Sequence, residues 1–131
     1  MADSHHPSWT GKNVSVDFDG VLHTYQSGWT GPEPTDPPEP GALEFVTGLI
    51  DMGLNPIIVS SRADTISGRL HIKAWLERHG FPPLDVTNEK VQAIAYVDDR
   101  AIRYDTGSNA WASVVEEIKV LADLGSRRGK A

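Results

Sequence analysis

Apolar residues in this chain fall into short β-branched runs that alternate with stretches where they recur every three or four positions, and the two periods predict strands alternating with helices. The first run, Val14 to Val16, leads into DFDGVLH and reads as a strand. Residues 24–40, YQSGWTGPEPTDPPEPG, keep neither period and read as a loop, with a short hairpin expected near Gly28. Ala42, Phe45, Val46, Leu49 and Ile50 return at helical spacing, which predicts a helix over about 41–52 with Gly53 as its stop. NPIIVSSR is continuous and β-branched, as a strand buried on both faces of a parallel sheet would be, and should end near Ser60.

A second helix is expected from Asp64 or Thr65 to His79, with Asp64 as its cap and Gly80 as its stop. Beyond Pro82 and Pro83 come a weak strand around Leu84 to Val86, a buried strand over Ile94 to Val97 and a short edge strand over Ile102 to Tyr104. Ser108 or Asn109 can cap a last helix that carries Trp111, Val114, Val115, Ile118 and Leu121 on one side. Trp75 and Trp111 lie on helix faces and are assigned to the core. Strands alternating with helices at these intervals predict an α/β fold, a three-layer α/β/α sandwich around a mainly parallel sheet, whose strand C-terminal ends form the binding edge.

Composition narrows the picture modestly. With 131 residues, 39% of them hydrophobic, the chain suffices for one cored domain, expected over 13–124, between a flexible N-terminal arm (1–12) and a charged tail (125–131). His5 and His6 belong to that arm and read as solvated. The absence of cysteine excludes disulfides and thiolate zinc sites and is compatible with a cytoplasmic protein. No apolar run reaches the length of a membrane span, and the first residues lack the pattern of a signal peptide. A formal charge of -6 argues against a general nucleic-acid binder.

The chemistry begins at Asp17 and Asp19, which leave the end of the first strand on one side while Phe18 turns inward. Like charges in such a place imply a cation, a shared proton, or both. Asp98 and Asp99 end a later strand, so four acids converge on one sheet edge. Hard oxygen ligands without cysteine or histidine nearby in sequence favour Mg²⁺, which commonly keeps waters and takes a substrate phosphate. Ser60 and Lys90 could complete a phosphate cradle. One carboxylate can then attack phosphorus, and its neighbour two residues on can act as acid and base.

These residues resemble the haloacid dehalogenase (HAD) superfamily of phosphohydrolases over about Val14 to Arg103. DFDGV at Asp17 to Val21 is similar to its first motif, IIVSSR at Ile57 to Arg62 to the second, Lys90 to the third, and YVDDRA at Tyr96 to Ala101 to the fourth. Val91 follows Lys90 where many relatives have proline. The resemblance implies that Asp17 is the nucleophile and a Mg²⁺ ligand. Asp19 would be the general acid and base, with its backbone carbonyl on the metal. Ser60 and Lys90 would hold the phosphoryl group, Asp98 would ligate Mg²⁺, and Asp99 would act through a metal-bound water or orient other groups. A response-regulator receiver domain is set aside by order, because there the acid pair comes early and here it comes last.

The intervals 20–40 and 60–90 leave no room for a cap domain, so a capless member with a flap-sized loop is expected. Such an open site admits a phosphate displayed on a large molecule, such as a nucleic-acid end or a phosphoprotein, or needs a neighbouring subunit of a homo-oligomer to cover a small substrate such as a nucleotide. On the flap, His23, Tyr25 and Trp29 could stack on a base or sugar. Arg62 and Arg100 follow motif residues and could bind a second phosphate or a substrate carboxylate, or serve only as counter-charges to the acids. Gly20, Ser61, Arg62 and Trp29 make up the expected substrate-binding set. The expectation is a Mg²⁺-dependent phosphatase working through an aspartyl-phosphate, the alternative a catalytically weak phosphate- and metal-binding regulatory module of the same fold.

Overall fold

The computed structural model describes residues 7–107 and 110–124. Its sheet has four parallel strands, β1 (Asn13–Asp17), β2 (Asn55–Val59), β3 (Asp85–Thr87) and β4 (Ala95–Val97), in the order β3-β2-β1-β4. Among the described residues three α-helices accompany it, α1 (Ala42–Asp51), α2 (Ile66–Arg78) and α3 (Ala110–Leu124). The α/β class and the Rossmann-like parallel sheet are therefore as the periodicity predicts. No helix among the described residues is long and apolar enough to cross a membrane.

Register and alternation explain where the core lies. Val16 pairs with Ile58 and Ile58 with Val86, so these apolar side chains share one face, and α1 and α2 bring Val46, Leu49, Ile72, Trp75 and Leu76 to the same core. Two crossovers that step the same way across a sheet land on one face when both have the usual right hand. The return from β3 to β4 steps the other way and crosses the opposite face. There the Tyr96 hydroxyl donates to the Val91 carbonyl oxygen at 2.8 Å. Trp75 is wholly buried, as expected of it.

Element ends follow local chemistry. The Thr65 hydroxyl accepts from the Gly68 N–H at 2.9 Å, so Thr65 caps α2 and Asp64 falls in a preceding 3-10 turn, Ser61–Asp64. A Cβ at Gly68 would overlap the Arg62 carbonyl, so only glycine lets that turn lie so close against α2. Pro7–Trp9, in the expected arm, form another 3-10 turn, and the Gly11 N–H bonds the Gly53 carbonyl at 2.8 Å. His5, His6, the capping candidates Ser108 and Asn109, and the 125–131 tail lie outside the described residues.

Several expectations need correction. β4 is not a buried strand: it closes one edge of the sheet beside β1, and Ile94 and Tyr96 are about half exposed. Ile102 to Tyr104 form no strand, and near Gly28 there is a turn, with the Gly28 N–H on the Tyr25 carbonyl, rather than a hairpin. Trp111 is not core. It is 68% exposed and stacks on Tyr104, 4.3 Å between ring centroids, because the apolar side of α3 meets no matching surface among the described residues.

Candidate active site

Because all strands are parallel, their C-terminal ends share one edge, and the residues at those ends line one cleft of about 500 Å³. Asp17 comes from β1, Ser60 and Ser61 from the end of β2, Asn88 from beyond β3, and Asp98 and Arg100 from beyond β4; Tyr25 and Trp29 of the long loop form its rim. Carboxylate oxygens of Asp17, Asp98 and Asp99 lie within 4.8 Å of one another, close enough for one divalent cation to take all three. Their hard, oxygen-only chemistry suits Mg²⁺. The Arg100 N–H donates to Asp98 Oδ1 at 2.7 Å, which fixes that side chain at the strand end.

Asp19 also lines the cleft, but its carboxylate turns away from the acid cluster. Arg62 Nε donates to both of its oxygens, at 3.1 and 2.8 Å. His23 Nδ1 lies 2.8 Å from Asp19 Oδ1, while His23 Nε2 accepts from the Asp36 backbone N–H at 3.0 Å. That pattern assigns the proton to Nδ1, so the ring donates to Asp19. Burial works to raise the Asp19 pKa, but the hydrogen bonds from His23 and Arg62 and the nearby Arg62 charge outweigh it and hold the carboxyl below its usual value. The backbone makes this possible at Gly20, whose positive φ of 83° closes a turn in which the Gly20 N–H meets the His23 carbonyl.

Asp36 is the anchor that sequence reasoning missed. Its carboxylate accepts from the Ser27 N–H and hydroxyl, at 2.8 and 2.7 Å, and its carbonyl accepts from Trp75 Nε1 at 2.9 Å. The Pro-rich loop is thereby tied both to the core and, through His23, to Asp19. Burial would raise the Asp36 pKa, yet the two Ser27 hydrogen bonds and the charges near it leave it lowered. The only signal in the sequence was an acid amid prolines, which a turn accounts for equally well.

Arg62 is buried behind Asp19 rather than in the cleft lining. Its Nη1 donates to the carbonyls of Gly31 and Pro32, at 2.9 and 3.1 Å, and its guanidinium lies 4.7 Å from the Trp29 ring centroid. Ser60 Oγ accepts from the Arg62 N–H at 3.2 Å. Lys90 is not among the cleft-lining residues, and its ammonium sits 5.3 Å from the Tyr96 ring centroid, on the return crossing to β4. The fold thus gathers Asp17, Asp19, Ser60, Ser61, Asp98 and Trp29 in one cleft, with Asp99 in the acid cluster. Gly20 shapes the turn beneath it. Asn88, just beyond β3, is a further member of the lining.

Comparison with family models, with curated proteins and with solved structures gave no match to this chain. The case for function therefore rests on the geometry of the cleft and on the motifs that first pointed to it.

Proposed function

We propose that the chain is a Mg²⁺-dependent phosphatase that hydrolyses a phosphate monoester through an aspartyl-phosphate on Asp17. The observation that carries the proposal is the convergence of Asp17, Asp98 and Asp99, with oxygens within 4.8 Å, beside Ser60 in an open cleft. Asp17, Asp98 and Asp99 would hold Mg²⁺ with their side chains, and Asp19 through its backbone carbonyl. The metal, when bound, would offset the acids' repulsion and the charge on the phosphoryl oxygens.

Asp17 attacks phosphorus, forming an acyl phosphate as the ester P–O bond breaks. The bond from the Arg62 N–H occupies a lone pair of Ser60 Oγ and leaves its hydroxyl hydrogen for a phosphoryl oxygen. Water then attacks phosphorus and releases Asp17, and Asp19, held ionised by His23 and Arg62, takes the water's proton. That proton passes to the leaving oxygen of the next substrate. Lys90 joins the phosphoryl group only by leaving Tyr96. In the same proposal the third layer would form if α3 docked the apolar side it exposes here on the second face of the sheet, and the loop over 20–40 stands in place of a cap domain.

The lowered Asp19 pKa and the position of Lys90 on Tyr96 favour a second reading, a phosphate- and metal-binding module with little turnover. Turnover of an aryl phosphate with and without Mg²⁺ decides between them. Asp17→Asn, close in shape but unable to attack, is expected to abolish hydrolysis. Undiminished turnover in that variant rules out the covalent mechanism, and Mg²⁺ binding without turnover by the native chain favours the module.

A further inference from the structure

We infer that the cleft takes a nucleoside monophosphate, with Trp29 as the platform for its base; this rests on the phosphatase reading for the phosphate end and adds the group the phosphate is attached to. Trp29 is 61% exposed yet lines the cleft, so its indole does not serve the core. Single exposed aromatics are ordinary. This one is held from behind. The Arg62 guanidinium lies 4.7 Å from its ring centroid, and the Arg62 side chain is only 1% exposed. Arg62 is fixed in turn by Asp19 and by the Gly31 and Pro32 carbonyls, two and three residues beyond Trp29. The indole is therefore positioned before any ligand arrives, and stacking on it orders little else.

The rest of the cleft fits the same ligand. Its volume of about 500 Å³ exceeds what a phosphate alone would fill, and Asp17 and Asp98 of the acid cluster border the same space as Trp29. A sugar can bridge a phosphate at Asp17 and a planar base at the indole. Asn88, also in the lining, offers a donor and an acceptor on one amide, which matches the paired donor and acceptor on a base edge. Arg100 lines the cleft as a cation. The net charge of -6 disfavours a long polyanion, so the mononucleotide is the better occupant than a nucleic-acid strand.

Titration calorimetry of the intact chain in Mg²⁺ with adenosine 5′-monophosphate, ribose 5-phosphate and adenosine tests this. Base–aromatic stacking predicts that the nucleotide binds about 5- to 150-fold more tightly than ribose 5-phosphate. Trp29→Ala should shrink that gap to within about threefold, and Trp29→Phe, which keeps a π face, should preserve most of it. Equal affinity for the two phosphates in the native chain, a gap that survives Trp29→Ala, or no binding by any of the three overturns the inference. Adenosine separates the two possible failures. If it binds as tightly as its phosphate and depends on Trp29, the platform stands and the phosphatase reading falls; if both phosphates are hydrolysed and bound alike, the reverse holds.

Discussion

Replacing Arg62 by Met removes a buried cation while keeping much of its volume, and the structure sets the scale of the loss. Gone are the Nε–H donated to both Asp19 oxygens and the two bonds from Nη1 to Gly31 and Pro32. Asp19, whose side chain is 15% exposed, would keep His23 as a hydrogen-bond donor but lose its cationic partner. Breaking a buried ion pair from one side costs about 3–5 kcal/mol, and the surviving His23 bond places the expectation near the lower end, about 3 kcal/mol. That is a large part of the roughly 5–15 kcal/mol that holds a domain together. In urea it would appear as a midpoint lowered by about 1–3 M at unchanged slope. Arg62→Lys should recover only part, since a point charge cannot reach Asp19 and the loop carbonyls together. Adding Asp19→Asn to Arg62→Met should cost less than the sum of the two single changes, by about 1–3 kcal/mol. Strict additivity, or a cost below about 1 kcal/mol for Arg62→Met, would refute the buried pair.

Two further outcomes are expected beside the Asp17 and Trp29 experiments. If the acid cluster binds Mg²⁺ only when folded, the ion at about one hundred times its dissociation constant should stabilise the chain by roughly 2.7 kcal/mol. Thermal melting reads this, and Asp98→Asn should remove most of the Mg²⁺-dependent rise. Asp36 sets an acid limit on stability: its folded pKa is lowered from 3.8, so the unfolded chain binds the proton more readily. Its contribution is complete above about pH 4–5 and is lost as the pH falls below 3.8 and through the lower folded value. Denaturation midpoints measured from pH 6 to pH 3 should fall less steeply in Asp36→Asn than in the native chain.

How much was legible in sequence depended on whether a residue's role is written in its neighbours. Asp17 and Asp98 follow apolar runs, and a parallel sheet puts all such run ends on one edge, so their meeting could be foreseen. Phe18 and Trp75 obey strand and helix periods and are wholly buried. Asp36 has no period to betray it: its partners are the His23 ring and Ser27 within its own loop and the Trp75 indole from a distant helix. Arg62 follows a motif serine, but nothing local says that its side chain turns back to Asp19 and the loop carbonyls. The spacing of Trp111, Val115 and Ile118 shows that α3 has an apolar side without saying what lies against it, and all three are exposed. The same limit applies to β4, whose apolar run looks identical at the centre or the margin of a sheet.

The marginal position of β4 has its own consequence. Two of the three carboxylates in the cluster follow a strand of three residues that, among the described residues, is hydrogen-bonded to one neighbour only, β1. Any ion captured there would staple the chain's early and late segments, some eighty positions apart, and so tether one edge of the sheet. Its grip would thus vary with how often that margin lifts, which makes an edge of the sheet a natural dial on the molecule's chemistry.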